Sequence, residues 1–344
     1  MNPSVPKSSA QPPSLQLFRG PLPVTARQPC ALAIGNFDGV HLGHQTILRH
    51  LCQEAAARGL VPTVMTFEPH PRAFFARKHR RPELSPTRLT GLRDQVDAFA
   101  QTGIERLVIE RFNEKLAELP AETFIRKLLI EQMQVKWLLV GDDFRFGAHR
   151  GGDITLLRRM APELGYEVQA MSSITDPHGQ RISSSAIRHA LASGQLALAT
   201  QLLGRPYSIS GHVAHGRKLG RSLGFPTLNL RVPHQRPALS GIFTVWVHGL
   251  AEHPLPGVAS LGVRPTIEAN GRAILEVHVL DYHGDAYGKL VRVEFLEKSR
   301  DELKFTDLDS LQRAIANDIV LARRFFASLP PGARPPAISA TDRI

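Results

Sequence analysis

Between residues 31 and 170 the chain alternates short apolar runs with stretches of helical period, and this alternation limits the possible folds more than any other feature. The runs at 31–34, 60–67, 106–109, 137–140 and 167–170 have strand character. Apolar residues recur at helical spacing after His44 (Ile47, Leu48, Leu51), again through Leu89, Leu92, Val96 and Phe99, and over 122–133 and 154–164. Repeated strand and helix predict a doubly wound parallel sheet, whose ligands sit at the carboxyl ends of the strands. His41, His44, Phe67 and Asp143 all fall at such ends, so one cleft is expected to hold them.

Two further helical segments, 184–192 and 196–203, lead to Gly204-Arg205-Pro206, where the texture changes. Short alternating segments at 242–247, 274–279 and 290–295, separated by Gly and Pro, predict an antiparallel barrel. An amphipathic helix over 308–326 is expected to finish it. The reading is therefore an extension at 1–14, a first domain at 15–203, a second at 204–328 and a flexible tail at 329–344. No internal repeat is present.

The segment Gly35-Asn36-Phe37-Asp38-Gly39-Val40-His41-Leu42-Gly43-His44 sits at the first strand-to-helix turn. Such a turn aims free backbone N–H groups and the positive end of a helix dipole at one spot, which suits a polyphosphate. Imidazoles at i and i+3 share a face and are able to donate to one phosphate as charge builds on it. A histidine in a turn also serves as a cap or a solvated group, and a pair can ligate metal. Zinc helices, however, place their histidines at i and i+4 with a Glu beside the first. Likewise Ser183-Ser184-Ser185 suits a helix N-cap as well as a phosphate, because both use the same N–H groups.

Composition is that of an ordinary globular protein, with 42% hydrophobic and 21% charged residues. The net charge of +11 raises the question of nucleic acid, but it is spread over both halves rather than gathered on one face or tail. The one dense cluster, Arg77-Lys78-His79-Arg80-Arg81, reads as a solvated loop, and no aromatic–basic interleaving suggests a stacking platform. The expectation is no nucleic-acid partner and no membrane partner. Residues 1–13 are polar and proline-rich rather than a signal sequence, and Cys30 and Cys52 suggest no disulfide framework, so a cytoplasmic location is expected.

Several segments in order carry a family resemblance. Residues 34–45 resemble the adenylyltransferase half of the bacterial bifunctional riboflavin kinase/FAD synthetases, as do Thr66-Phe67-Glu68-Pro69-His70-Pro71, Gly141-Asp142-Asp143-Phe144-Arg145-Phe146-Gly147 and Arg181-Ile182-Ser183-Ser184-Ser185-Ala186-Ile187-Arg188. Residues 219–229, Gly262-Val263-Arg264-Pro265-Thr266, Leu275-Glu276-Val277-His278 and Gly284-Asp285-Ala286-Tyr287-Gly288 resemble the riboflavin kinase half. The resemblance runs from Leu15 to Phe326. It implies a Rossmann-like nucleotidyltransferase domain followed by a β-barrel kinase domain with a C-terminal helix. It also implies riboflavin, FMN and ATP as substrates, FAD as product and Mg²⁺ as cofactor.

For the first domain the resemblance implies attack of an FMN phosphate oxygen on the α-phosphorus of ATP. His41 and His44 would stabilise that transfer, with Gly35, Phe37, Asp143, Ser184, Ser185 and Arg188 around the ATP phosphates. Ser185 stands where relatives commonly have Thr, and Asp143 where many have Asn. Phe67, Pro69 and Pro71 resemble the flavin wall. For the second domain the absence of Gly-x-x-x-x-Gly-Lys-Ser/Thr excludes a P-loop kinase. Gly211, Gly216, Lys218 and Gly220 would instead cradle the phosphates. Thr227 and Asn229 would hold Mg²⁺ through oxygen, with Leu228 turned to the other face of a strand. Glu276 resembles the family's general base, though a Glu in an alternating strand more often faces solvent, and Arg300 resembles an arginine near the flavin.

Overall fold

A strand covered on both faces must be apolar at every position, and residues 30–34 meet that demand. In the computed structural model, which describes residues 14–176, 179–216, 223–232, 237–263 and 273–330, Cys30–Ile34 is a strand with all five side chains buried. The described residues pack as two units. One comprises 14–37, 43–85 and 98–174; the other comprises 38–42, 86–97 and the described residues of 175–330.

The first unit is built on a six-stranded sheet of β1 (Gln16–Arg19), β2 (Cys30–Ile34), β3 (Val61–Glu68), β4 (Arg106–Arg111), β5 (Val135–Gly141) and β6 (Glu167–Met171). Every pairing is parallel and the order is β1-β4-β3-β2-β5-β6. The chain winds from β2 through β3 and β4 to one side, then returns to place β5 on the other side of β2. The crevice between the carboxyl ends of β2 and β5 is thus the switch point, where doubly wound sheets bind ligands. The helices along this stretch of chain are α1 (Leu42–Arg58), α2 (Pro71–Lys78), α3 (Leu92–Ala100, counted with the second unit as far as residue 97), α4 (Glu114–Ala117), α5 (Ala121–Thr123) and α6 (Ile154–Leu164), with α5 running into a wider π-type turn over Phe124–Gln132. Leu32, Met65, Val108 and Leu138 from the strands pack with Phe124, Leu129 and Leu157 in one core.

Two elements depart from expectation. β1 is an added edge strand on β4. Arg77 and Lys78, expected in a solvated loop, form the last turn of α2. Local chemistry accounts for that helix: Pro71 suits its first turn, and the His70 ring accepts from the Arg72 N–H at 3.1 Å. Phe74 and Phe75 then pack edge-on against Phe112 at 5.3 and 5.8 Å, and Lys78 pairs with Glu114.

The second unit contains α7 (Ser184–Ala192), α8 (Leu196–Leu203), β7 (Ser208–Ala214), β8 (Leu228–Arg231), β9 (Gly241–His248), β10 (Leu255–Val263), β11 (Ala273–Val279), β12 (Leu290–Arg300) and α9 (Leu308–Ser328). The strands close an antiparallel barrel in the order β10-β11-β8-β7-β12-β9. β11 alternates strictly between buried and half-buried residues, so Leu275 and Val277 fill the interior while Glu276 and His278 face outward. β9 is buried at all eight positions because its outer face is also covered. Ile242 packs with Val258 and Ala322 of α9, and Trp246 lies 4.5 Å from the Phe326 ring. α8 stops at Gly204, whose φ of +73° makes the left-handed cap. By packing, α7 and α8 belong with the barrel: Ile187, Leu191, Ala199 and Leu203 share its core.

Candidate active sites

In the first unit, β2 ends at Ile34 and delivers Gly35 and Phe37 to the switch point, while β5 ends at Gly141 and delivers Asp143. Gly35 is small for a local reason, because a Cβ there would lie 3.1 Å from the Phe37 ring. That ring, on a residue with φ of +46°, stands edge-on to His44 at 5.1 Å and to Phe99 at 5.6 Å. Phe37 therefore props the imidazole in the first turn of α1. Asp143 is exposed, with its Oδ1 over Gly141. Phe67 lies within β3 rather than after it, half-buried and edge-on to Phe112 at 5.9 Å. Pro69 follows a cis peptide bond and Pro71 opens α2.

In the second unit a buried carboxylate organises the turn before α1. Asp38, 3% exposed, accepts from the Leu89 and Thr90 N–H groups at 3.2–3.3 Å and pairs with Arg188 at 2.6 Å. Arg188 also donates from Nε to the Thr87 carbonyl at 2.6 Å, and Ser184 donates to the Asp38 carbonyl at 2.9 Å. Ser183 is the N-cap of α7, accepting from the Ala186 N–H, while Ser185 is exposed. So the capping role falls to Ser183 and leaves Ser184 and Ser185 other partners. His41 is buried, and burial pushes its pKa down to about 4; Asp38 opposes that, while Arg205, Arg188 and Arg181 reinforce it. The imidazole is therefore neutral at pH 7 and offers an N–H donor without a charge. Among the described residues no cluster of His, Cys, Asp and Glu forms a metal cage around either histidine.

The barrel carries a cavity of about 240 Å³ on its outer face, roofed by α9. Thr227, Asn229, Ser260, Glu276 and His278 line the strand side, and Ile315 and Asp318 line the helix side. Asn229 and Glu276 are direct partners across the β8–β11 ladder, so their side chains share one face. Leu228 turns the other way and packs on the core. Gly216 makes room for Asn229, since a Cβ there would fall 2.6 Å from Asn229 Oδ1 and closer still to Nδ2. Arg300 lines the same cavity, but both its Nε and Nη2 are held by Asp318 at 2.9 and 2.7 Å, clamping the end of β12 to α9. Burial raises the Glu302 pKa, neighbouring Glu276 raises it further, and Arg300 opposes both. Gly211 sits in the β7 ladder outside the cavity, with ordinary contacts to Leu230. Lys218, Gly220 and residues 264–266 lie outside the described residues.

Comparison with known proteins finds that two family models match this chain. The FAD synthetase model covers residues 24–186 and the riboflavin kinase model covers 203–326. A bifunctional riboflavin kinase/FMN adenylyltransferase from Escherichia coli is 44% identical over 319 residues, spanning 92% of this chain and 100% of the relative. The chain belongs to the bifunctional riboflavin kinase/FMN adenylyltransferase family. Its FAD synthetase part is N-terminal and its riboflavin kinase part C-terminal. The relative from Haemophilus influenzae is 43% identical over 302 residues, covering 88% of this chain and 96% of that one. A crystal structure described as a macrolide-efflux protein from Streptococcus pneumoniae aligns with a TM-score of 0.69 at 28% identity, over 87% of this chain and 95% of that chain. The two share a fold. Among the described residues here, no helix is long and apolar enough to cross a membrane.

Sequence reasoning missed Asp38, Asp318 and Glu302. Nothing local marks Asp38, in a turn, or Asp318, in a helix, as buried and paired, and Glu302 is an exposed loop residue at the rim of the cavity. Asp38 reaches its arginine across 150 positions; Asp318 reaches Arg300 across 18.

Proposed function

We propose that this member of the family makes FMN in the barrel cavity and FAD at the Gly35–His44 motif, with the boundary between the two activities at residues 203–204. The observation that carries the kinase assignment is the Asn229–Glu276 pairing across one ladder, with Thr227 lining the same cavity. Glu276 takes the proton of the riboflavin 5′-hydroxyl as that oxygen bonds to the γ-phosphorus of ATP and ADP leaves. Thr227 and Asn229 offer the hard oxygen donors that suit Mg²⁺, and Gly216 leaves the space that the Asn229 amide occupies. Bound there, the cation supplies charge neutralisation to the phosphates. Gly216, Lys218 and Gly220 contribute backbone or ammonium donors to the phosphates, whereas Gly211, held in the β7 ladder outside the cavity, does not; Arg300 orders the cavity wall through Asp318.

In adenylyl transfer an FMN phosphate oxygen attacks the α-phosphorus of ATP and pyrophosphate leaves. That reaction rests on positioning and charge stabilisation more than on a covalent group. Neutral His41 donates a hydrogen bond, and His44, propped by Phe37, donates another. Ser184, Ser185 and Arg188 take the leaving pyrophosphate, with Gly35 and Asp143 bordering the nucleotide and Phe67, Pro69 and Pro71 bordering the flavin. A chromatographic time course of the purified chain with riboflavin, ATP and Mg²⁺ tests the reading. FMN should rise and then convert to FAD; accumulation of FMN alone removes the adenylylation assignment, and unchanged riboflavin removes the kinase assignment.

A further inference from the structure

The turn that presents His41 is conformationally costly, and distant residues hold it from two sides. Gly39 has a φ of +88° and Val40 a φ of +39°. For a β-branched residue this is a rare conformation that persists only where surrounding contacts over-determine it. From one side the 87–90 segment fixes the turn: Thr90 Oγ1 accepts from the Gly39 N–H at 3.2 Å, and the Leu89 and Thr90 amides grip the Asp38 carboxylate. From the other side comes Arg205, which the sequence suggests is only a linker residue. Its Nη2 donates to the Gly39 carbonyl at 2.7 Å and its Nη1 to the Val40 carbonyl at 3.1 Å, across 165 positions of chain.

We propose that Arg205 is a positioning residue for adenylyl transfer: its planar fork binds both carbonyls of the turn and thereby fixes the backbone that carries His41. The inference rests on the reading that His41 acts in that reaction. A guanidinium suits the task because it presents several donors in a rigid plane. Asp94, whose Oδ2 accepts from the Ser210 N–H of β7 at 3.2 Å, favours its charge, while Arg292 opposes it. Arg205 itself joins the start of the barrel part of the chain to the phosphate turn through its two hydrogen bonds. Arg205 falls inside the stretch matched by the riboflavin kinase model, yet what it grips lies inside the stretch matched by the FAD synthetase model. The kinase half therefore carries a residue that adenylylation needs.

Arg205 also adds positive charge near His41, where Asp38, Arg188 and Arg181 are the other charged groups acting on the ring. Losing it should move the acid limb of the adenylylation pH profile upward.

The test compares full-length wild type, Arg205→Met and Arg205→Lys, each assayed for FAD from FMN and for FMN from riboflavin. Displacing a reacting group by 1 Å costs on the order of 100-fold, so Arg205→Met should lose about that factor in kcat for FAD formation. KM for ATP should shift by less than about threefold, because Arg205 touches the turn and not the nucleotide. FMN formation should be retained and the acid limb should move to higher pH. Arg205→Lys should fall between, because one ammonium does not reproduce the fork. Undiminished FAD formation in Arg205→Met overturns the inference, as does a parallel loss of both activities. A rise in KM with kcat unchanged overturns it too. If Arg205→Met fails to fold, the ratio of the two activities in Arg205→Lys decides, and an unchanged ratio overturns it. A wild type that makes no FAD refutes the underlying reading, whereas an active wild type beside an equally active variant refutes only the role of Arg205.

Discussion

Adding one methyl group at Gly216 should slow the kinase reaction about 100-fold in a chain that still folds. The backbone at Gly216 is not in the left-handed region, so alanine fits its dihedral angles. The Cβ, however, would fall 2.6 Å from Asn229 Oδ1. Non-bonded heavy atoms settle at about 3.5 Å, so the amide has to retreat by roughly 0.9 Å. Stability tolerates that: among the described residues the movement sacrifices a long hydrogen bond from Asn229 Nδ2 to the Thr227 carbonyl at 3.4 Å. Overpacking of this kind costs about 1–3 kcal/mol, and part is recovered because alanine has fewer unfolded conformations than glycine. Catalysis does not tolerate it, since a misplacement near 1 Å costs on the order of 100-fold, or about 2.7 kcal/mol in the barrier. The assay follows FMN from riboflavin and, separately, FAD from supplied FMN. Gly216→Ala should slow the first about 100-fold at saturating ATP and leave the second intact, and raising Mg²⁺ should recover part of the loss. Normal FMN formation would refute the role given to Asn229 in the kinase site.

Glu276→Gln should abolish FMN formation while FAD synthesis from supplied FMN continues, and His44→Ala should do the converse, stopping the chain at FMN; loss of both activities in either variant sinks the two-site assignment. Arg300→Met leaves the Asp318 carboxylate buried without its partner, which should cost about 3–5 kcal/mol and show as a clear fall in melting temperature; an unchanged melt contradicts the clamp. His41 titrates near pH 4 in the folded chain but near 6.5 when unfolded, so below pH 6.5 the unfolded state binds the proton first. Stability is therefore full above pH 6.5 and should fall as pH drops toward 4, by roughly 3 kcal/mol from this residue. Urea unfolding at pH 7.5 and 4.5 should show His41→Gln losing about 2.5 kcal/mol less than wild type.

Periodicity made the architecture legible because burial writes itself into neighbouring residues. The apolar run at 137–140 became the middle of β5, and the alternation at 274–279 became β11 with Glu276 outward. Positions 227 and 229 could be assigned to one face, opposite Leu228, from strand geometry alone. What was not legible depends on chain segments meeting from far apart. Nothing around Asp38 announces a buried carboxylate, because its partners are Leu89, Thr90 and Arg188. Arg300 could be placed near the flavin by resemblance, but its lock on Asp318 belongs to the docking of α9. The Arg77–Lys78 turn was misread because charge density outweighed the His70 cap and the Phe74–Phe112 contact, which only the fold supplies.

The two sheets also differ in how they guard their backbones. The barrel closes on itself and presents no unpaired margin. The parallel sheet has margins, and one of them is only four residues long: Gln16–Arg19, paired through Leu17 and Phe18 with Leu107 and Val108 of β4. β4 is buried at five of its six positions. A truncation past Arg19 would strip the shield from an apolar strand and leave its N–H and C=O groups open to any extended chain nearby. At this margin of the sheet, the short strand is what separates a buried apolar strand from any neighbouring chain.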